Sequence, residues 1–287
     1  MFFKLIALDI DGTLTNSDKV ITPATLDMLM RYQKAGGKVV LASGRPTQGI
    51  IPHAKTLKLD EYGGCILSYN GGCAVDCKTD EVIFRSKLPN EYIPEICEII
   101  KDYPVSIVTY EKDIIIVGQQ INKYTELEAR INGMKMKLVD SFADYVDFDV
   151  TKCLLQGEPE YILELEKILS EKYSGSLGIF KSEPFFLEIV PDGVDKAKAI
   201  DRLINLLGIS TEECIACGDG FNDISMIEYA GLGIAMSNAA EPVKAVADYI
   251  TFSNNEDGIA YVLSRLSGEA SRYNNSDDRQ TVCAAVH

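Results

Sequence analysis

Residues 4–10 (KLIALDI) form a continuous apolar run that closes on acidic residues, and it opens the series of strand and helix signals that most constrains the fold. The run reads as a buried strand. Residues 22–35 follow with Leu26, Leu29 and Met30 at helical intervals, Thr22-Pro23 as a start signal and Gly36-Gly37 as a stop. KVVLAS (38–43) is a second buried run, Pro46 opens another helix, and CILSY (65–69) is a third strand ending at Asn70-Gly71-Gly72. Strands alternating with helices predict a parallel sheet with crossover helices. The expected class is α/β, a doubly wound, mostly parallel, Rossmann-like core.

The series resumes near residue 185. FFLEIV (185–190) reads as a strand, and 194–207 as a helix with Ala197, Ile200, Leu203, Ile204 and Leu207 at helical spacing. Strands at 213–217 and 231–236 alternate with helices at 221–229 and 240–247, and segments 247–251 and 256–266 close the series. Residues 84–186 have a different texture. VSIVTY (105–110) and DIIIVG (113–118), joined at Glu111-Lys112, predict an antiparallel hairpin. Helices are expected at 89–102, 122–132 and 159–172, and strands near 150–156 and 177–181. The expected organisation is a core domain of 1–83 and 187–267, an inserted mixed α/β module of 84–186, and a mobile tail of 268–287.

Charge narrows the function classes. The 287 residues carry a formal net charge of -15, a field that repels nucleic acid and anionic membrane surfaces. No run of 18 apolar residues suggests a membrane span, and Asp9 and Asp11 interrupt the apolar N-terminus before it resembles a signal peptide. A soluble, cytoplasmic protein is expected. The eight cysteines sit mostly in apolar runs. Cys214 and Cys217 invite a redox or zinc reading, but residues three apart on a strand point to opposite faces. Reduced, structural thiols are expected.

Four pieces carry chemistry. In Asp9-Ile10-Asp11-Gly12-Thr13-Leu14, a buried strand delivers two carboxylates to the end where open α/β sheets bind ligands. Like charges so close repel, and a hard divalent cation relieves them. Gly12 lets the backbone approach a phosphate. An acidic turn with a capping Asp is the plainer alternative. Gly218-Asp219-Gly220-Phe221-Asn222-Asp223 again follows a strand and opens a helix, suiting a metal that bridges to phosphate. An Asp-Gly turn explains one of its carboxylates, not both. Ser43-Gly44-Arg45-Pro46 offers a hydroxyl and a backbone N–H to a phosphate oxygen, though Ser-Gly is also a common turn. Lys196 stands at a helix start, where a cation is disfavoured by the helix dipole, so either phosphate contact or simple solvation accounts for it.

In this order the four pieces resemble the haloacid dehalogenase (HAD) superfamily of phosphotransferases, over residues 1 to about 266. DIDGTL (9–14), SGR (43–45), Lys196 and GDGFND (218–223) match its four motifs. Residues 226–251 and 254–263 resemble the Cof-type sugar-phosphatase branch, whose α/β cap lies between the second and third motifs. The resemblance implies a magnesium-dependent phosphatase acting on a small phosphorylated metabolite, with sugar phosphates favoured. It implies that Asp9 attacks phosphorus to form an aspartyl-phosphate and that Asp11 protonates the leaving oxygen, then deprotonates water. Mg²⁺ would be held by the Asp9 and Asp219 side chains and the Asp11 backbone carbonyl, with Asp223 orienting those ligands. Gly12, Ser43, Gly44, Lys196 and Asn222 would contact the phosphoryl group. A hexose phosphomutase and a non-catalytic phosphosugar-binding protein are the alternatives.

Overall fold

The computed structural model describes residues 3–267, so the expected tail and Cys283 lie outside the described residues. Among the described residues the chain divides into two compact units: one of 3–44, 51–83 and 195–267, and one of 45–50 and 84–194.

The chain begins with β1 (Leu5–Leu8), α1 (Pro23–Lys34), β2 (Lys38–Ala42), α2 (Thr47–Thr56), α3 (Leu59–Tyr62), β3 (Cys65–Ser68), β4 (Cys73–Asp76) and β5 (Val82–Arg85), of which the start of α2 and the end of β5 fall in the second unit. The second unit then contributes α4 (Tyr92–Ile100), β6 (Ser106–Glu111), β7 (Ile114–Gly118), α5 (Lys123–Asn132), β8 (Lys135–Leu138), α6 (Phe142–Tyr145), β9 (Cys153–Gln156), α7 (Pro159–Lys172), β10 (Leu177–Glu183) and β11 (Phe186–Pro191). The chain returns to the first unit with α8 (Lys196–Leu207), β12 (Cys214–Gly218), α9 (Ile224–Tyr229), β13 (Leu232–Ala235), α10 (Glu241–Lys244), β14 (Tyr249–Ile250) and α11 (Gly258–Leu266).

The first unit's sheet has the order β14-β13-β12-β1-β2-β3-β4-β5. Pairing is parallel from β14 through β3 and antiparallel between β3 and β4. Strands β1 and β12 are buried along their whole length, as a sheet covered on both faces requires. From β1 the chain moves one way to β2 and β3, and from β12 the other way to β13 and β14. Right-handed crossovers therefore set the two helix sets on opposite faces. Accordingly α1 packs with α11, and α8 with α9.

Caps fix the helix starts. Thr22 Oγ1 accepts from Thr25 N–H with Pro23 in the first turn of α1, and Asp195 accepts from Lys198 N–H at the start of α8.

The second unit is a six-stranded sheet, β10-β11-β9-β6-β7-β8, antiparallel except between β7 and β8. Alternate strand residues face opposite ways. Ile107, Leu155 and Ile189 pack with Ile96 of α4 and Leu165 of α7. Val108, Leu154 and Phe186 pack with Leu127 of α5 on the other side.

Three expectations need correction. Strand 185–190 is not the first element of the resumed core: β11 pairs with β9 and β10, so the second unit runs to Val194 rather than 186. A continuous apolar strand carries no mark of which sheet it joins. The β6–β7 turn is Lys112-Asp113, because Glu111 still pairs with Ile114 and the left-handed residue is Lys112, φ 53°. The sequence reading also missed β4, β5, β8 and α6; β8 (KMKL) is largely exposed and lacks a buried apolar side to announce it.

Leu29 is fully buried on α1. Leu29→Ala is expected to cost about 2–5 kcal/mol, read as a lower urea midpoint by circular dichroism.

Candidate active site

Strand register assembles the site. Leu8 of β1 pairs with Leu41 of β2 on one side and with Cys217 of β12 on the other. The three chain segments that leave these strands are Asp9–Thr13, Ser43–Gly44 and Asp219–Asp223. They emerge side by side at the carboxyl edge where the strand order reverses, the ligand position in open α/β sheets.

The centre is Lys196, 1% exposed. Its Nζ donates to Asp9 Oδ1 at 2.8 Å and to Asp223 Oδ1 at 2.6 Å. Burial opposes the ammonium charge, but the two carboxylates outweigh it and hold the lysine pKa above its usual range. The helix-start placement that looked unfavourable in sequence is thus offset by direct ion pairs. Solvation, the plainer reading of this lysine, is excluded.

Asp9 is nine-tenths buried, and its pKa is pushed up to about 8, by burial first and by Asp223 next, against the pull of Lys196. Among the described residues no donor reaches its Oδ2. Asp223 is saturated: Oδ1 accepts from Lys196, and Oδ2 from the N–H groups of Asp219 and Gly220 at 3.0 and 2.8 Å. Asp219 accepts from the Thr13 hydroxyl at 2.7 Å, and burial lifts its pKa to about 6. Asp11 is not one of these three clustered carboxylates, though its charge helps raise the Asp219 pKa; its own carboxylate is partly exposed and ion-pairs with Lys19 at 2.9 Å.

A divalent cation fits this donor set. Asp9, Asp219 and Asp223 each present an oxygen within 4.8 Å of the others. Burial first, and then the crowding of three carboxylates around one ammonium, raise two of their pKa values. Asp223 already accepts three hydrogen bonds, against two at Asp219 and one at Asp9, so Asp9 and Asp219 are the carboxylates with the most capacity left to hold the ion.

Ser43 is buried at the end of β2, and its carbonyl accepts from Asn70 N–H at 2.9 Å. Asn222 is exposed, and its Nδ2 donates to Asn70 Oδ1 at 3.0 Å. Gly12 adopts φ 87°, and a Cβ there would lie 2.2 Å from Asp219 Oδ2. Asn238, which sequence reasoning passed over, donates from Nδ2 to the Gly12 carbonyl at 2.9 Å. It lies in the 226–251 stretch that carried the Cof-type resemblance, so a signal was present without a role attached to it.

The cysteines take no part in this cluster. Those among the described residues are free, and burial pushes the Cys214 thiol up to about 12, far from a reactive thiolate.

This arrangement of a sheet edge, paired acidic loops and a buried lysine defines a phosphoryl-transfer site of the HAD type. The chain belongs to the haloacid dehalogenase-like hydrolases, whose family model matches residues 6–263. Within that family it is a phosphatase. The 5-amino-6-(5-phospho-D-ribitylamino)uracil phosphatase YcsE of Bacillus subtilis is 30% identical over 260 residues, covering 91% of this chain and 94% of YcsE. A crystal structure of a haloacid dehalogenase-like hydrolase from Bacteroides thetaiotaomicron is 44% identical, with a TM-score of 0.88 over 92% of this chain and 99% of that one. The HAD subclass IIB sugar phosphatase BT4131 is 29% identical, with a TM-score of 0.78 over 92% of this chain and 99% of that one. Among the described residues no helix is long and apolar enough to cross a membrane.

Gly12→Ala is expected to leave the circular dichroism spectrum unchanged while lowering kcat/KM about 100-fold, because displaced Asp219 misplaces its neighbours.

Proposed function

We propose that the protein is a magnesium-dependent phosphatase of small phosphorylated metabolites, with Asp9 as nucleophile. The observation that carries this reading is the Asp9 carboxylate, fixed by Lys196 through Oδ1 while Oδ2 has no donor among the described residues. A carboxylate held by one oxygen is aimed with the other, and Asp9 Oδ2 attacks phosphorus to give an aspartyl-phosphate. Lys196, Asn222, Ser43 and the backbone at Gly12 and Gly44 bind the phosphoryl oxygens, since phosphoryl transfer depends mainly on positioning and charge stabilisation. Asp11, partly exposed and not one of the three clustered carboxylates, gives its proton to the leaving oxygen and then takes one from the attacking water.

Asp9, Asp219 and the Asp11 carbonyl would hold Mg²⁺, with Asp223 fixing the 219–220 backbone behind them. Bound there, the ion supplies charge neutralisation for the phosphoryl group and lowers the pKa of Asp9. Sugar phosphates are the favoured substrates. The support is that one relative is a sugar phosphatase and another is named for a phospho-D-ribityl compound. A cytoplasmic location fits the acidic charge and a small-metabolite substrate.

Asp9→Asn is expected to lower turnover of an aryl phosphate with magnesium by more than about 1,000-fold. Near-wild-type turnover would sink the covalent step. Asp11→Asn is expected to slow hydrolysis of a sugar phosphate by about 100-fold or more, and an activated aryl phosphate far less, because a good leaving group needs no proton.

Asp9 titrates near 8 in the metal-free protein, so below that pH magnesium must displace a proton. Apparent magnesium affinity is then expected to rise by up to about tenfold per pH unit from pH 6 and to level off above 8. Calorimetry in two buffers of different ionisation enthalpy reads the released proton, and a flat profile rejects the assignment.

A further inference from the structure

The turn between β3 and β4 is built more tightly than a hairpin needs. Tyr69 and Asn70 are both buried, and both lie in the left-handed region with φ 55° and 56°. Asparagine tolerates that region, but a tyrosine there is strained, and such strain persists only where the surroundings over-determine it. Gly71 follows at φ 94°, where a Cβ would lie 2.6 Å from Ala199 Cβ and 2.7 Å from the Asp195 carbonyl. The turn is therefore pressed against the first turn of α8, which carries Lys196.

Asn70 itself joins the other two pieces of the site. Its N–H donates to the Ser43 carbonyl at 2.9 Å, and its Oδ1 accepts from Asn222 Nδ2 at 3.0 Å. Its carboxamide lies over Gly44: a Cβ at Gly44 would stand 3.2 Å from Nδ2. The turn thus touches the segments of Ser43, Lys196 and Asn222 at once.

We infer that Asn70 is a positioning residue that acts through Asn222. Asn222 is exposed on a single 3-10 turn, Phe221–Asp223, and an exposed carboxamide samples several rotamers. The acceptor at Asn70 Oδ1 selects one of them. One Nδ2 proton is engaged, the second is left for a phosphoryl oxygen, and the rotamer entropy is lost on folding rather than on substrate binding. The strained backbone of the turn is what aims Oδ1. This inference rests on the assignment of Asn222 to the phosphoryl site made above.

The test is a double-mutant cycle of Asn70→Gly and Asn222→Ala, assayed with an aryl phosphate and magnesium. Glycine adopts φ 56° without strain, so Asn70→Gly keeps the turn and is expected to melt no lower than wild type. The expected result is a kcat/KM about tenfold lower for Asn70→Gly, with the double variant no worse than Asn222→Ala alone. Multiplying losses, or wild-type kinetics for Asn70→Gly, would overturn the inference. Wild-type kinetics for Asn222→Ala would instead overturn the assignment of Asn222 itself. A second readout is independent of rate: in ¹⁵N NMR spectra the Asn222 side-chain amide is expected to exchange slowly in wild type and fast in Asn70→Gly. Should glycine unfold the turn, Asn70→Asp keeps an acceptor and tolerates the left-handed backbone. Slow Asn222 amide exchange is expected there, and fast exchange rejects the inference.

Discussion

The buried ion triad of Lys196, Asp9 and Asp223 is the interaction on which the rest of the structure depends. A lysine 1% exposed is tolerated only because two carboxylates meet its ammonium within 2.8 Å. The same lysine anchors the return of the chain into the first unit, at the first residue of α8. Its partners arrive from the ends of β1 and β12, which are neighbours in the sheet. Breaking the triad would leave a buried charge uncompensated, so sheet register, helix placement and site geometry are energetically coupled.

The triad also explains the division of labour among the carboxylates. Asp223 is engaged on both oxygens and serves as scaffold for the 218–223 loop. Asp9 is engaged on one, and Asp219 is tied to Thr13. Asp11, only two residues from Asp9, faces an exposed partner and so lives in a different dielectric environment. Two carboxylates two residues apart thus sit in unlike surroundings, one buried against Lys196 with its pKa raised and the other partly exposed beside Lys19.

Much of this was legible in the chain. The apolar runs at 4–10, 38–43 and 213–217 are β1, β2 and β12, and the acidic loops that end two of them hold the buried carboxylates. The pairing of Asp9 with Lys196 was not legible, because 187 residues separate them. Nor was the allegiance of β11, whose apolar run suits either sheet. Asn70 could be read from the chain as the end of the third strand, but its hydrogen bond to Asn222, 152 residues on, could not.

The sequence by itself determined the α/β class, the family and the set of acidic and basic residues that meet at one sheet edge. Local periodicity and short motifs carry that information, because strand and helix signals extend over only a few neighbours. The tertiary structure alone decided which carboxylate oxygen stays open, which is saturated, and how far each pKa moves. Those properties arise from burial and from partners distant in the chain, brought together only when the strands align. The carboxylate that looked in sequence like half of an acidic pair is, in the fold, a partner of a lysine 187 positions further along the chain.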